Sequence, residues 1–100
     1  MEDIKELKII ILAYIDNSNP GWIRCCFTDI HRSLHYFIEK VPVITLLELD
    51  ENSTYPQDVT ILCKVIDING KKATVDISKP WGIEDENGEA VFAINENRIK

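Results

Sequence analysis

Val59-Thr60-Ile61-Leu62-Cys63-Lys64-Val65-Ile66-Asp67-Ile68-Asn69-Gly70-Lys71-Lys72-Ala73-Thr74-Val75-Asp76-Ile77-Ser78 is the stretch that decides the fold. Val59 to Ile68 is rich in β-branched residues and reads as a strand, and Lys72 to Ser78 reads as a second. Asn69-Gly70 between them is the short polar pair that closes an antiparallel hairpin. Lys79-Pro80 then breaks the pairing. Beyond it, Trp81 to Ile94 reads as another hairpin, turned at Asn87-Gly88, the pair that most readily takes positive φ at both centres of a type I′ turn.

Working back from the opening stretch, Asp50 to Asp58 is polar, contains Tyr55-Pro56 and reads as a loop. Val43 to Leu49 fits either a short strand or a helical turn. Leu34 to Val41 alternates, with Leu34, Tyr36 and Ile38 opposite His35, Phe37 and Glu39, until Pro42 ends regular pairing. Asp29 to Ser33 is a short loop. Trp22 to Thr28 alternates as well, with Ile23, Cys25 and Phe27 on one face. Asp16 to Gly21 is a turn cluster. Ile4 to Ile15 is ambiguous, because Ile4, Leu7 and Ile11 fit a helical face while Ile9-Ile10-Ile11 is β-branched and Tyr14-Ile15 continues the strand-like run. It reads as a strand from about Leu7 to Ile15, apolar on both faces and hence central in its sheet. The sum is one domain of six to eight short strands, a small antiparallel barrel or sandwich with at most one or two helical turns.

Composition excludes several functions. Seventeen acidic residues against eleven basic ones give 100 residues a formal net charge of -6. That field repels nucleic acid and anionic lipid and attracts cationic partners. The longest apolar run, Ile9 to Ile15, is far short of the roughly 20 residues of a membrane-spanning helix. The acidic start lacks the basic region of a signal peptide, so a cytoplasmic location is expected. Cys25, Cys26 and Cys63 are odd in number and lack metal-clamping spacing, and neighbours in a strand point to opposite faces. Buried, reduced thiols are expected.

Catalytic constellations are sparse. His31 and His35 lie four apart, yet on a loop and a strand rather than on one helix face, and no zincin glutamate follows His31. The glycines Gly21, Gly70, Gly82 and Gly88 all fall at turns, so no glycine-rich phosphate loop is present. No metal or other cofactor is expected. Trp22 and Trp81 each stand at a strand entry, where the simpler reading is a core or lid aromatic and the alternative is an exposed anchor for a partner. Glu84, Asp85, Glu86 and Glu89 crowd the second turn, and Asp50-Glu51 forms a smaller acidic pair. Either they are a solvated face, or they capture a basic protein by charge.

Asn19-Pro20-Gly21-Trp22, Phe37-Ile38-Glu39-Lys40-Val41-Pro42, Cys63-Lys64-Val65 and Val75-Asp76-Ile77-Ser78-Lys79-Pro80-Trp81-Gly82-Ile83-Glu84 occur in this order, with Ala13-Tyr14, Tyr55-Pro56, Gly88 and Phe92. The arrangement resembles small β-rich bacterial proteins, some of which look like immunity proteins of contact-dependent growth inhibition and related polymorphic toxin systems. The resemblance implies a non-enzymatic, cytoplasmic inhibitor, monomeric when free, that binds one toxin domain and blocks its cationic active-site groove. Glu84, Asp85, Glu86, Glu89, Asp50 and Glu51 are then the expected contact residues. It also implies a glycine-containing turn where this chain has Ile30-His31-Arg32-Ser33-Leu34. The alternatives are a β-barrel module for a small ligand or another protein, a structural subunit, and a small hydrolase using His31, His35 or Cys26.

Overall fold

Alternating apolar residues build six strands in a computed structural model that describes residues 3–16 and 20–100. These are β1 (Ile4–Asp16), β2 (Trp22–Thr28), β3 (Leu34–Lys40), β4 (Gln57–Asn69), β5 (Lys72–Asp76) and β6 (Val91–Asn95). Residues 17–19 of the first turn cluster lie outside the described residues. The strands form one antiparallel sheet in the order β3-β2-β1-β4-β5-β6, curled into a half-barrel. The concave face carries the period-2 apolar set: Leu7, Ile9 and Ile11 of β1, Ile23, Cys25 and Phe27 of β2, Ile61, Cys63 and Val65 of β4, then Val75, Phe92 and Ile94. Burying such side chains contributes about 1.5–3 kcal/mol each, which makes this face the main support of the sheet. No helix among the described residues is long and apolar enough to cross a membrane.

The strand reading of β1 holds, and the strand is irregular only in its second half. Its pairing with β2 shifts register between Ile11 and Ala13 and again between Tyr14 and Asp16. Before these shifts Leu7, Ile9 and Ile11 are buried in a regular period of two; each extra residue breaks that period beyond Ile11 and bends the strand. The bent end brings Tyr14 over Gly21, where any Cβ would collide with the tyrosine ring. Of the ambiguous Val43 to Leu49, residues 45–49 form neither strand nor helix. Only Val43 and Ile44 are regular: they end a single helical turn, α1 (Val41–Ile44), with Pro42 in its first turn. A missing N–H costs nothing there.

Both turns depart from the sequence reading. Asn69 is still a strand residue, paired with Lys72. The two-residue loop is Gly70-Lys71, with positive φ at Gly70 alone, the pattern of a type II′ turn. The second hairpin does not form as such. Residues 82–90 make a loop, and β6 pairs with β5 instead. Asn87 keeps a negative φ, so the turn is not type I′, and of the Asn87-Gly88 pair it is Gly88 that is left-handed. Asp85 displaces the expected geometry by accepting backbone N–H groups with its own side chain.

Backbone bonds draw the ends of the curled sheet together. Leu7 bridges Ile99, and the Lys100 N–H donates to the Glu6 carbonyl at 2.9 Å, so the chain end covers the stretch of β1 that β2 leaves unpaired. The Ile30 N–H donates to the Ala93 carbonyl of β6, and the Glu86 N–H donates to the Tyr36 carbonyl of β3, both at 2.8 Å. These last two bonds bring the β2–β3 loop and the acidic loop to one end of the sheet.

Candidate functional site

His35 lies in the inward-facing phase of β3, between His35-neighbouring Phe27 and Phe92, with ring centroids 5.4 and 4.6 Å away. Its Nε2 lies 2.7 Å from Asp29 Oδ2, and its Nδ1 lies 3.5 Å from Asp85 Oδ2. One imidazole thus spans a carboxylate of the β2–β3 loop and one of the acidic loop. Each ring nitrogen of His35 faces a carboxylate oxygen.

Each carboxylate also organises its own loop. Asp29 Oδ1 accepts the N–H groups of His31 and Ser33 at 2.8 and 3.0 Å. These bonds brace Arg32 at φ 65, a left-handed position that glycine adopts freely. The loop therefore keeps a glycine-type conformation with an arginine in it. Asp85 Oδ1 accepts from Asn87 N and Glu89 N at 2.9 and 2.8 Å. The loop is closed by Gly88 N to Asp85 O and Asp85 N to Glu89 O.

Burial pushes the Asp29 carboxyl up, but hydrogen bonds from His35, Ser33 and His31 outweigh it and hold the group below its ordinary value of 3.8. A carboxyl depressed in the folded state takes up its proton less readily there than when unfolded. Its stabilisation is complete above 3.8 and is lost as pH falls through the folded value. Calorimetric melting should therefore show the wild type losing stability on acidification through this range. Asp29→Asn should be less stable at neutral pH and show a shallower acid slope; parallel slopes would remove Asp29 from the acid response.

The four carboxylates of the acidic loop thus have different environments. Asp85 is buried, its side chain only 2% exposed, and shapes the loop from inside. Glu86 is held by Arg24 of β2 through two bonds, Nε to Oε1 at 3.0 Å and Nη2 to Oε2 at 3.3 Å. The same guanidinium lies 4.4 Å from the Tyr36 ring centroid, a cation–π distance. Glu84 and Glu89 are exposed. Asp50 and Glu51 belong to a separate turn, in which Asp50 Oδ1 accepts the Asn52 N–H at 2.8 Å and Tyr55 donates to the Asp50 carbonyl.

The remaining candidates separate. His31 is exposed on its loop, whereas His35 is engaged on both nitrogens. All three thiols are free and buried as expected; burial pushes Cys25 up to about 12 and Cys63 up to about 11, far from a nucleophilic state at neutral pH. Trp22 is half-buried, with the Lys40 ammonium 5.5 Å from its ring centroid. Trp81 overturns the core-or-lid reading: it is 60% exposed. The sequence reading missed Asp29, which organises the β2–β3 loop and meets His35, and Arg24, which grips Glu86 of the acidic loop. The available signal was His35 itself, a polar residue in phase with the core residue Phe37.

No family model, curated protein or solved structure matches the chain.

Proposed function

We propose that this chain is a protein-binding inhibitor of the immunity type, presenting Glu84, Glu86 and Glu89 to the cationic active-site groove of a toxin domain. The observation that carries this reading is the bracing of the acidic loop. Asp85 ties two of its amides and faces His35, Arg24 grips Glu86, and the Glu86 N–H is bonded to β3. A loop ordered before binding loses little conformational entropy on contact. Net charge of -6 adds long-range attraction towards a basic partner and raises the association rate at low salt. Inhibition needs coverage of the partner's groove rather than a reaction, so His35 and the thiols serve the fold.

The test starts from the gene immediately upstream, which the immunity reading expects to encode a secreted toxin, and uses the toxin domain of that product; a metabolic gene there would count against the reading. Titration calorimetry should give a stoichiometric complex, and co-expression should protect cells from that domain. Glu84→Lys/Glu86→Lys/Glu89→Lys, with Asp85 left in place, should weaken binding by about tenfold or more, chiefly at low salt. An intact affinity in a folded triple variant would overturn the acidic contact. No complex and no protection would overturn the immunity reading.

A further inference from the structure

Along one edge, β1 changes partner part-way. Its pairing with β2 ends at Ile10, opposite Cys26, and the chain end takes over at the Leu7–Ile99 bridge. β2 runs on through Phe27 and Thr28, and a cleft of about 370 Å³ opens between this strand end and the chain end. Lys8, Arg98 and Lys100 line it, in a protein whose net charge is -6. Among the described residues no carboxylate is paired with any of the three.

Pairing of the chain end is what gathers these cations. Ile99 packs against the core, and the Lys100 carbonyl is turned to the Glu6 N–H at 3.5 Å, which leaves the Lys100 side chain to the cleft. The same antiparallel register brings Arg98 alongside Lys8. Like charges opposed across paired strands are destabilising. The fold gains nothing from this crowding, whereas an anion between the two side chains relieves it.

The charge of the lining selects the anion. Asp58, opposite Ile10 in the β1–β4 register, is the carboxylate that lines the cleft. Glu6 shares the sheet face of Lys8, but it accepts from the Thr60 hydroxyl and lies outside the lining. Burial pushes the Cys26 thiol up against the opposing pull of Arg24, so this wall adds no negative charge at neutral pH. Three cations against one carboxylate leave two positive charges in excess. A phosphate monoester, at about −1.5 to −2 near pH 7, balances them, and a single carboxylate does not. Arg98 can grip two phosphate oxygens at once, while Lys8 and Lys100 act as point charges.

The geometry points to a binding site for a small phosphate monoester, its phosphate held among Lys8, Arg98 and Lys100 and its organic part against Ile10 and Thr28. The cleft has the size of a small-molecule site, and the overall charge repels nucleic acid. Glu84, Glu86 and Glu89 do not line it, so the site stands apart from the acidic contact proposed above.

The test is an NMR titration of the full chain at physiological salt. Glycerol 3-phosphate should give saturable amide shifts centred on Lys8, Thr28, Arg98 and Lys100, with an affinity about tenfold or more above that of acetate. Glycerol should give none. Lys8→Gln and Arg98→Gln should each weaken binding by about tenfold. Both remove a like-charge contact, so neither should lower the melting temperature. Lys64→Gln takes the same charge from the same sheet face outside the cleft and should change the affinity by less than about twofold. Equal affinities for glycerol 3-phosphate and acetate would overturn the selection of phosphate. An equal loss in Lys64→Gln, or shifts centred away from the cleft, would overturn the site itself. Tighter binding of a short thymidine oligonucleotide than of glycerol 3-phosphate would replace the small ligand with nucleic acid. Titration against the upstream toxin domain decides the immunity reading separately.

Discussion

Replacing Asp85 with alanine is expected to lower the unfolding free energy by about 2–4 kcal/mol, from the charge-assisted bonds lost and the partners left behind. The side chain is almost wholly buried, so solvent does not readily replace what the carboxylate supplies. Two backbone donors, Asn87 N and Glu89 N, lose their acceptor, and His35 loses the carboxylate facing Nδ1. Asp85→Asn retains an oxygen for the two amides but removes the charge, so its loss should be smaller. Urea denaturation of both variants would order them as wild type, asparagine, alanine. Hydrogen exchange at Asn87 and Glu89 should quicken most in the alanine variant. An alanine variant within about 0.5 kcal/mol of wild type, a typical change at an uninvolved surface site, would mean that the loop is held by its backbone bonds alone. Glu89→Ala is the matched control, since that side chain is exposed.

The same residue shows how far the site was legible in the sequence. Asn87-Gly88 correctly marked a turn, and Gly88 does take positive φ. Neighbouring preferences could not reveal that Asp85 would supply the acceptor for the turn, because that depends on an aspartate being buried beside His35. Nor could four adjacent acids disclose that Arg24, 62 positions away from Glu86, would pair with one of them. Local patterning did better with the strands. β2 has the bounds its alternation implied, and β1 is central as its two apolar faces required. The missing final hairpin has the same explanation as the altered turn: β6 gains a full antiparallel register with β5, Lys72 to Asp76 against Val91 to Asn95. A nearby segment of 82–90, committed to the Asp85 loop, offers it no comparable ladder.

Phe37→Ala should be the more damaging of two truncations on β3, costing about 3–5 kcal/mol. Phe37 is 0% exposed and faces the core, paired in register with Cys25 and 6.4 Å by ring centroid from Phe27. Its removal loses apolar burial and leaves a void that the sheet can fill only by shifting β3, the strand at the end of the sheet order. Leu34, on the same strand, is 53% exposed and Ile38 44% exposed on the opposite face. Leu34→Ala and Ile38→Ala should therefore each cost much less, about 1 kcal/mol or below. Against a stability of about 5–15 kcal/mol for a domain of this kind, the Phe37 loss is a large share. It should also loosen the acidic loop, because β3 carries both His35 and the Tyr36 carbonyl that receives the Glu86 N–H. Chemical denaturation of the three variants, with exchange measured at Glu86, tests both parts. Similar losses for Phe37→Ala and Leu34→Ala would contradict the assignment of the two faces. A Phe37→Ala variant that is destabilised while Glu86 exchange stays at the wild-type rate would show that the loop is held independently of this strand's packing.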